Sequence, residues 1–542
     1  MGNQAILPCW NPATGEEFAQ VVMATAEEVQ QAHREMRAAF KVWSRTPVKE
    51  RVRLLRKLQE VIIDSLDEIT AVLCQDCGKS RQDALAEVFV TVDMLNMYLK
   101  FAPRWLRRQN VSSGLYIFKR CYLEPRPYGV VGVIAPWNYP FALSMPPVLG
   151  ALLAGNTVLL KPSEVTGATG VLVEKLFQRV PELAPYLRVL HGDASVGAAM
   201  VASAPDYIFL TGSTPTGKKV MQAAAENLIP VACELGGKDA LLVLEDADVV
   251  AAAYWGVWGS FFNTGQTCMA VERVYVVEPV YDEFVRRVVQ ETQKLKVGFS
   301  EDLNSPFYMG PVTDPRQVRV IERHLEDAHA RGARILSGGQ RKDMFFEPTI
   351  LVDVDHSMLV MREETFGPLM PIMKVKDEAE AIRLANDCSY GLGASVWSRD
   401  LDHAQRVAHQ IEAGSILIND TIAQFAVPML PFGGIKQSGY GRTHGKEGLM
   451  QFTRPYAYTV GRPPIPWDVA TIGRKPGNYH LLATIMHVFF GVTPRQRMQP
   501  LLEIVEKEAG PVKRSRLAFG VLAGFGALSA LAGVILVSRK RT

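Results

Sequence analysis

Val130-Val131-Gly132-Val133-Ile134-Ala135-Pro136-Trp137-Asn138 is the stretch that decides the fold of this chain. Its first six residues are apolar without alternation, the pattern of a strand buried on both faces, and Pro136 ends it. The same pattern recurs downstream. Thr157–Leu160 is broken by Lys161-Pro162, and Tyr207–Leu210 stops at Thr211-Gly212-Ser213. Short apolar runs separated by helical patterns predict a parallel sheet with helices on both faces. A second series begins at Ala240–Leu244 and continues through Arg273–Val277 to Gly414–Ile418. The fold class expected is therefore α/β, with two parallel-sheet domains.

Bulk properties narrow the field. The 542 residues are 48% hydrophobic and 21% charged, with a net charge of +3, so a nucleic-acid-binding surface is not expected. Seven cysteines, odd in number and scattered, fit a reducing compartment better than a disulfide framework. Cys74 and Cys77 form a C-x-x-C at the end of a helical pattern running from Arg51 to Leu73, with Leu54, Leu55, Leu58, Ile62, Ile63 and Leu66 at three- and four-residue spacing. No second Cys/His pair completes a tetrahedral site, so no metal is expected.

Two segments carry chemistry: Glu234-Leu235-Gly236-Gly237-Lys238, and Phe262-Asn263-Thr264-Gly265-Gln266-Thr267-Cys268. A cysteine in a Gly/Thr/Asn-rich loop can be an exposed nucleophile, and a glutamate on a Gly-rich turn can be the base that later activates water. Together, in this order, they resemble the aldehyde dehydrogenase superfamily, whose ELGGK and F-x-N-x-G-Q-x-C signatures are intact here. The resemblance covers residues 8–460.

That resemblance implies a Rossmann-like NAD-binding domain (1–109 and 129–237), a catalytic domain (238–451) and an oligomerisation arm (110–128 and 452–461), hence a homodimer or homotetramer. Cys268 would attack the aldehyde, Asn138 would hold the oxyanion, and Glu234 would activate water against a thioester. Relatives that pass the acyl group to coenzyme A typically lack this glutamate. For the cofactor, Lys161 and Glu164 would hold the adenosine ribose, with Ser163 between them. A carboxylate there favours NAD over NADP. Gly212, Ser213 and Gly217 open a helix whose amides can receive pyrophosphate, and Glu364 and Phe366 match the nicotinamide-ribose motif. Pro136, Trp137, Leu235 and Gly236 complete the cofactor set. Tyr139, Trp258 and Phe432 are candidate walls for an apolar aldehyde. Thr443 stands where many relatives carry a glutamate after Gly441-Arg442, so proton exit is expected to take another route.

After Phe452 the character changes. Residues 462–516 read as a linker containing a short apolar stretch, His480–Val492, able to lie at an interface or pack on the body. Leu517–Val537 is an uncharged run of about 21 residues, or about 31 Å as a helix, which matches a bilayer core. Lys513, Arg514 and Arg516 precede it; Arg539, Lys540 and Arg541 follow. It is read as a single-pass C-terminal anchor that holds the catalytic body on the cytoplasmic side of a lipid bilayer. Two rivals remain at this point: a coenzyme A-acylating dehydrogenase or acyl reductase, and an inactive membrane-tethered scaffold.

Overall fold

A computed structural model describes residues 5–114, 116, 119–461 and 477–508. The chain divides into two units, Met1–Arg108 with Glu124–Tyr456, and Gln109–Leu123 with the segment from Ala457 onward.

The first unit contains both anticipated sheets. In the six-stranded sheet the order is Gly439–Tyr440, Val231–Glu234, Tyr207–Thr211, Val130–Ile134, Thr157–Lys161 and Leu187–Val189. Its strands are parallel except for Gly439–Tyr440, which runs antiparallel to Val231–Glu234. From Val130–Ile134 the chain winds outward to Leu187–Val189, then returns to the opposite side with Tyr207–Thr211. This reversal opens a crevice at the carboxyl ends of the strands, where α/β proteins bind ligands. The seven-stranded sheet runs Arg334–Ser337, Thr349–Val352, Leu369–Val375, Val271–Val277, Asp239–Val243, Gly393–Trp397 and Ser415–Ile418. Only its first strand is antiparallel to its neighbour. Helices cover both faces of each sheet, and the central strands are almost wholly buried, in keeping with their largely apolar runs.

Two expectations change. The Arg51–Leu73 pattern is two helices, Val48–Asp64 and Leu66–Cys77, because Ser65 leaves the helical conformation and its hydroxyl accepts a 2.7 Å bond from Arg179. Segment 238–451 is also not confined to the second sheet. Gly439 returns to the first at φ +103°, where a Cβ would stand 2.2 Å from the Cys233 carbonyl oxygen, an approach open only to glycine. Leu449 and Phe452 then join the first core.

Thr453–Gly461, Lys119–Pro127 and Gln109–Val111 form a three-stranded sheet, largely within the segments 110–128 and 452–461. Beyond it lie the helices Tyr479–Phe490 and Pro494–Glu508. Among the described residues no helix is long and apolar enough to cross a membrane. The 517–537 stretch lies outside the described residues.

Trp43 shows how the first core is pinned. The side chain is sealed, and its indole N–H donates a 2.9 Å bond to the Leu152 carbonyl near the end of the Met145–Ala154 helix. Trp43→Phe removes this donor and leaves the carbonyl with the Gly155 N–H alone, so denaturant unfolding should show a loss of about 0.5–1.5 kcal/mol.

Candidate active site

Cys268 follows a turn in which Asn263, Thr264 and Gly265 all take left-handed conformations, with φ of 51°, 60° and 72°. For a β-branched threonine this is strained, and such strain persists only when the surroundings over-determine it. They do so here. The Thr264 hydroxyl donates to the Gly310 carbonyl at 3.0 Å, and the Asn263 amide donates to the carbonyls of Asn138 and Gln266. Gln266 is held from both ends: its Nε2 donates to the Asn263 carbonyl, and its Oε1 accepts from the Thr313 N–H at 2.8 Å.

The ELGGK turn packs directly against this one, and the spacing explains both glycines. A Cβ at Gly237 would lie 2.4 Å from the Cys268 carbonyl oxygen; one at Gly236 would lie 2.2 Å from a Glu364 carboxylate oxygen. The Gly237 N–H donates to that same Glu364 at 3.0 Å. Lys238 is fully buried, paired with Glu272 at 2.6 Å and bonded to the Thr365 hydroxyl. The Glu272 carboxylate also accepts the N–H groups of Thr365 and Phe366. One sealed ion pair therefore fixes the loop that carries Glu364 and Phe366.

A second sealed pair fixes the oxyanion candidate. Lys79 meets Glu87 at 2.7 Å and also donates to the Asn138 carbonyl, while Glu87 accepts the N–H groups of Phe141 and Ala142. Asn138 is buried, and its amide donates to the Gln266 carbonyl at 3.0 Å. Its second amide hydrogen and the Cys268 N–H have no protein acceptor among the described residues. Lys79, Glu87 and Glu272 were not singled out from the sequence, and Lys238 was quoted there only as the end of its motif. A lone charge in a helix or strand pattern carries no sign of the distant partner that neutralises it.

A cleft of about 900 Å³ joins these parts. Its walls include Cys268, Glu234 and Asn138 together with Pro136, Trp137, Lys161, Ser163, Glu164, Gly212, Ser213, Leu235, Gly236, Glu364 and Phe366. Lys161 contacts Glu164 at 3.1 Å, and Arg316 reaches its other oxygen at 3.4 Å. Burial works against the Glu164 charge, but Lys161 and Arg316 help to outweigh it and hold the carboxyl below the usual range. Ser213 caps the Thr214–Ala225 helix, whose first turn meets the cleft at Pro215 and Thr216, and a Cβ at Gly212 would meet nothing within 4 Å. A free ribose diol and a pyrophosphate fit this donor set.

Four expected site residues are not among the cleft walls. Gly217 is not on the cleft; it lets the helix close on Leu235, whose methyl carbon would be 2.8 Å from a Cβ there. Phe432 is sealed against Phe425 and His444 rather than lining the cleft, and the Thr443 hydroxyl is spent on the Phe432 carbonyl. Tyr139 and Trp258 belong to a separate aromatic row. Tyr139 bonds Thr267 at 2.8 Å and stacks on Phe262, which touches Trp258, then Trp255, then Tyr254.

The electrostatics differ from the simplest expectation of a ready thiolate. Enclosure in the fold, then the charges of Glu234, Asp239 and Glu364, raise the Cys268 thiol well above its usual value. Its side chain is only partly exposed, at the cleft wall. Burial likewise pushes Glu234 up to about 7, against hydrogen bonds with Cys268 and Thr211 that lower it. The other carboxylate oxygen of Glu234 is buried without a partner among the described residues.

Residues 1–457 match the aldehyde dehydrogenase family. A 4,4'-diapolycopene aldehyde oxidase of a Methylomonas species is 42% identical over 84% of this chain and 86% of its own length. A chloroplastic aminoaldehyde dehydrogenase of Arabidopsis thaliana is 36% identical over 85% of this chain and 94% of its own. The crystal structure of betaine aldehyde dehydrogenase from Staphylococcus aureus in complex with NAD+ is similar at a TM-score of 0.82 and 31% identity, covering 86% of this chain and 94% of that one. The chain belongs to the aldehyde dehydrogenase family and is an enzyme.

Gly237→Ala drives a methyl group into main chain, whereas Gly236→Ala meets the movable end of a side chain. Steady-state assays should show activity lost by at least about 100-fold in the first, since a misplacement near 1 Å costs that much, and a smaller loss in the second.

Proposed function

We propose that this enzyme oxidises apolar, lipid-derived aldehydes to carboxylic acids with NAD, through a thioester on Cys268, while tethered to a membrane by residues 517–537. The observation that carries the substrate class is the aromatic row. It runs from Tyr139, bonded beside Cys268, along the Val249–Phe261 helix to Trp255 and Tyr254, which are 37% and 52% exposed. Between Tyr254 and Phe262 the helical rise is about 12 Å. A chain of methylenes or conjugated carbons finds apolar contact over that whole length, and a short polar aldehyde uses little of it. The similarity to an enzyme named for diapolycopene aldehyde supports the same reading.

In chemical terms, Cys268 passes its proton to the hydrogen-bonded Glu234, which releases it to water, and the sulfur bonds the carbonyl carbon as the C=O electron pair moves onto oxygen. The Asn138 amide and the Cys268 N–H receive the oxyanion, in a water-poor setting where removing one such donor typically costs about 10²–10³ in rate. NAD, when bound, supplies the hydride acceptor. Lys161 and Glu164 would hold its ribose, the amides after Gly212 its pyrophosphate, and Glu364 and Phe366 its nicotinamide end. Glu234 then takes a proton from water as the hydroxyl adds to the thioester, and the thiol leaves. Glu164, kept ionised, repels a 2′-phosphate and favours NAD over NADP. The three-stranded arm sheet and the family's habit support a homodimer or homotetramer. The uncharged length of 517–537 and its basic flanks support a single span, with the body on the cytoplasmic side.

Two measurements test this. NADH production over aldehydes of increasing length should give kcat/KM that rises with chain length. Trp258→Ala should lower it at least about tenfold for long chains and hardly at all for two carbons, as lost apolar contact predicts; better turnover of short polar aldehydes contradicts the substrate class. Separately, thioester release in single turnover should rise about tenfold between pH 6 and 8 as Glu234 ionises through about 7. It should not accelerate with coenzyme A. A flat pH response contradicts the role of Glu234.

A further inference from the structure

We propose that the Tyr479–Phe490 helix is a second membrane contact, lying in the plane of an anionic lipid surface rather than crossing it. The inference rests on the tethering reading above and extends it to a different segment. The helix, Tyr-His-Leu-Leu-Ala-Thr-Ile-Met-His-Val-Phe-Phe, contains no Asp, Glu, Lys or Arg, and none of its residues is buried. Tyr479, Leu481, Met486, Phe489 and Phe490 are exposed, and Val492 follows at its end. An apolar helix on a soluble protein normally hides one face. This one presents aromatic and aliphatic side chains outward, while Leu482, Ile485 and Val488 on another face are only partly covered.

Length, charge and chain continuity together select the occupant. Twelve residues span about 18 Å, well short of a hydrocarbon core of about 30 Å, so the helix cannot cross. From Gly477 to Leu502 the only fully charged residues are Arg495 and Arg497. The Arg497 guanidinium donates to the Gly491 carbonyl, which sets a cation directly beside the Phe489-Phe490 end. Apolar rings adjoining a cation, with the first acid only at Glu503 on the following helix, match an interfacial helix on anionic lipid. The Pro494–Glu508 helix follows, and only nine peptide steps separate Glu508 from Leu517, at most about 30 Å of extended chain. A bilayer that holds 517–537 is therefore within reach of the Tyr479–Phe490 helix. Shallow insertion there would place the enzyme beside a membrane-dissolved substrate.

The test uses the full chain reconstituted in vesicles of phosphatidylglycerol and phosphatidylcholine, with benzoylphenylalanine replacing either Phe490 or Phe525. After irradiation, mass spectrometry should find lipid adducts at position 490. Their yield should fall at least threefold in pure phosphatidylcholine or with Arg495→Glu and Arg497→Glu together, while position 525 is unaffected. Lipid adducts at 525 with none at 490 overturn the docking proposal and leave the tether standing. Cross-linked protein dimers at 490 in place of lipid adducts also overturn it, and identify a second copy as the occupant. No lipid adduct at either position overturns both readings, whereas an adduct at 490 alone upholds the docking without the tether.

Discussion

Two backbone turns approach each other more closely than a methyl group allows, and the catalytic arrangement depends on that approach. The Cys268 carbonyl sits where a side chain on residue 237 would begin, and the Glu364 carboxylate sits where one on residue 236 would begin. Paired glycines are thus the condition for bringing Cys268, Glu234 and Glu364 from three separate parts of the chain into one cleft. Neither turn holds itself. The Cys268 turn is kept in left-handed conformations by Asn263, Thr264 and Gln266, each committed to specific carbonyls or N–H groups. The surrounding loops are fixed by two ion pairs sealed from water, Lys238 with Glu272 and Lys79 with Glu87. Each of these carboxylates also accepts two main-chain N–H groups, so the charges are satisfied by geometry as well as by each other.

The same compactness sets the electrostatics. Glu234, Asp239 and Glu364 crowd the thiol while Lys238 is committed to Glu272, so the protein groups alone disfavour a thiolate. Burial raises the carboxyls too, Asp239 up to about 8 and Glu234 up to about 7. A base poised near neutrality suits the removal of a proton from water, because it is ionised at working pH yet basic enough to accept one. The cost of gathering acids falls on the sulfur, and in the mechanism proposed above the benefit appears in the hydrolytic step.

Much of this was legible in the residues themselves. Apolar runs located six of the strands to within a residue or two, because a strand buried on both faces has little polar register to blur its ends, while others such as Val231–Glu234, Leu369–Val375 and Gly393–Trp397 were not marked out. The cleft residues carried by glycine-rich turns were equally plain, since steric demand leaves a compositional trace. The missed features are relational. Nothing near Lys79 announces Glu87, and nothing near Lys238 announces Glu272, because pairs eight and thirty-four residues apart fall outside the three- and four-residue spacing that a helix makes readable. Ser65 breaks a helix whose periodicity runs on undisturbed, through a bond to Arg179 more than a hundred residues away. Gly217 and Phe432 were drawn toward the site by their motifs, and the structure uses both for packing.

The account's central claim is that Cys268 carries the acyl group and Glu234 is needed to release it. The most direct measurement is intact-protein mass spectrometry of Glu234→Gln after mixing with NAD and a long-chain aldehyde. The account predicts a stoichiometric acyl adduct on Cys268, absent from Cys268→Ala and discharged by hydroxylamine. Undiminished steady turnover without any adduct in Glu234→Gln would contradict it.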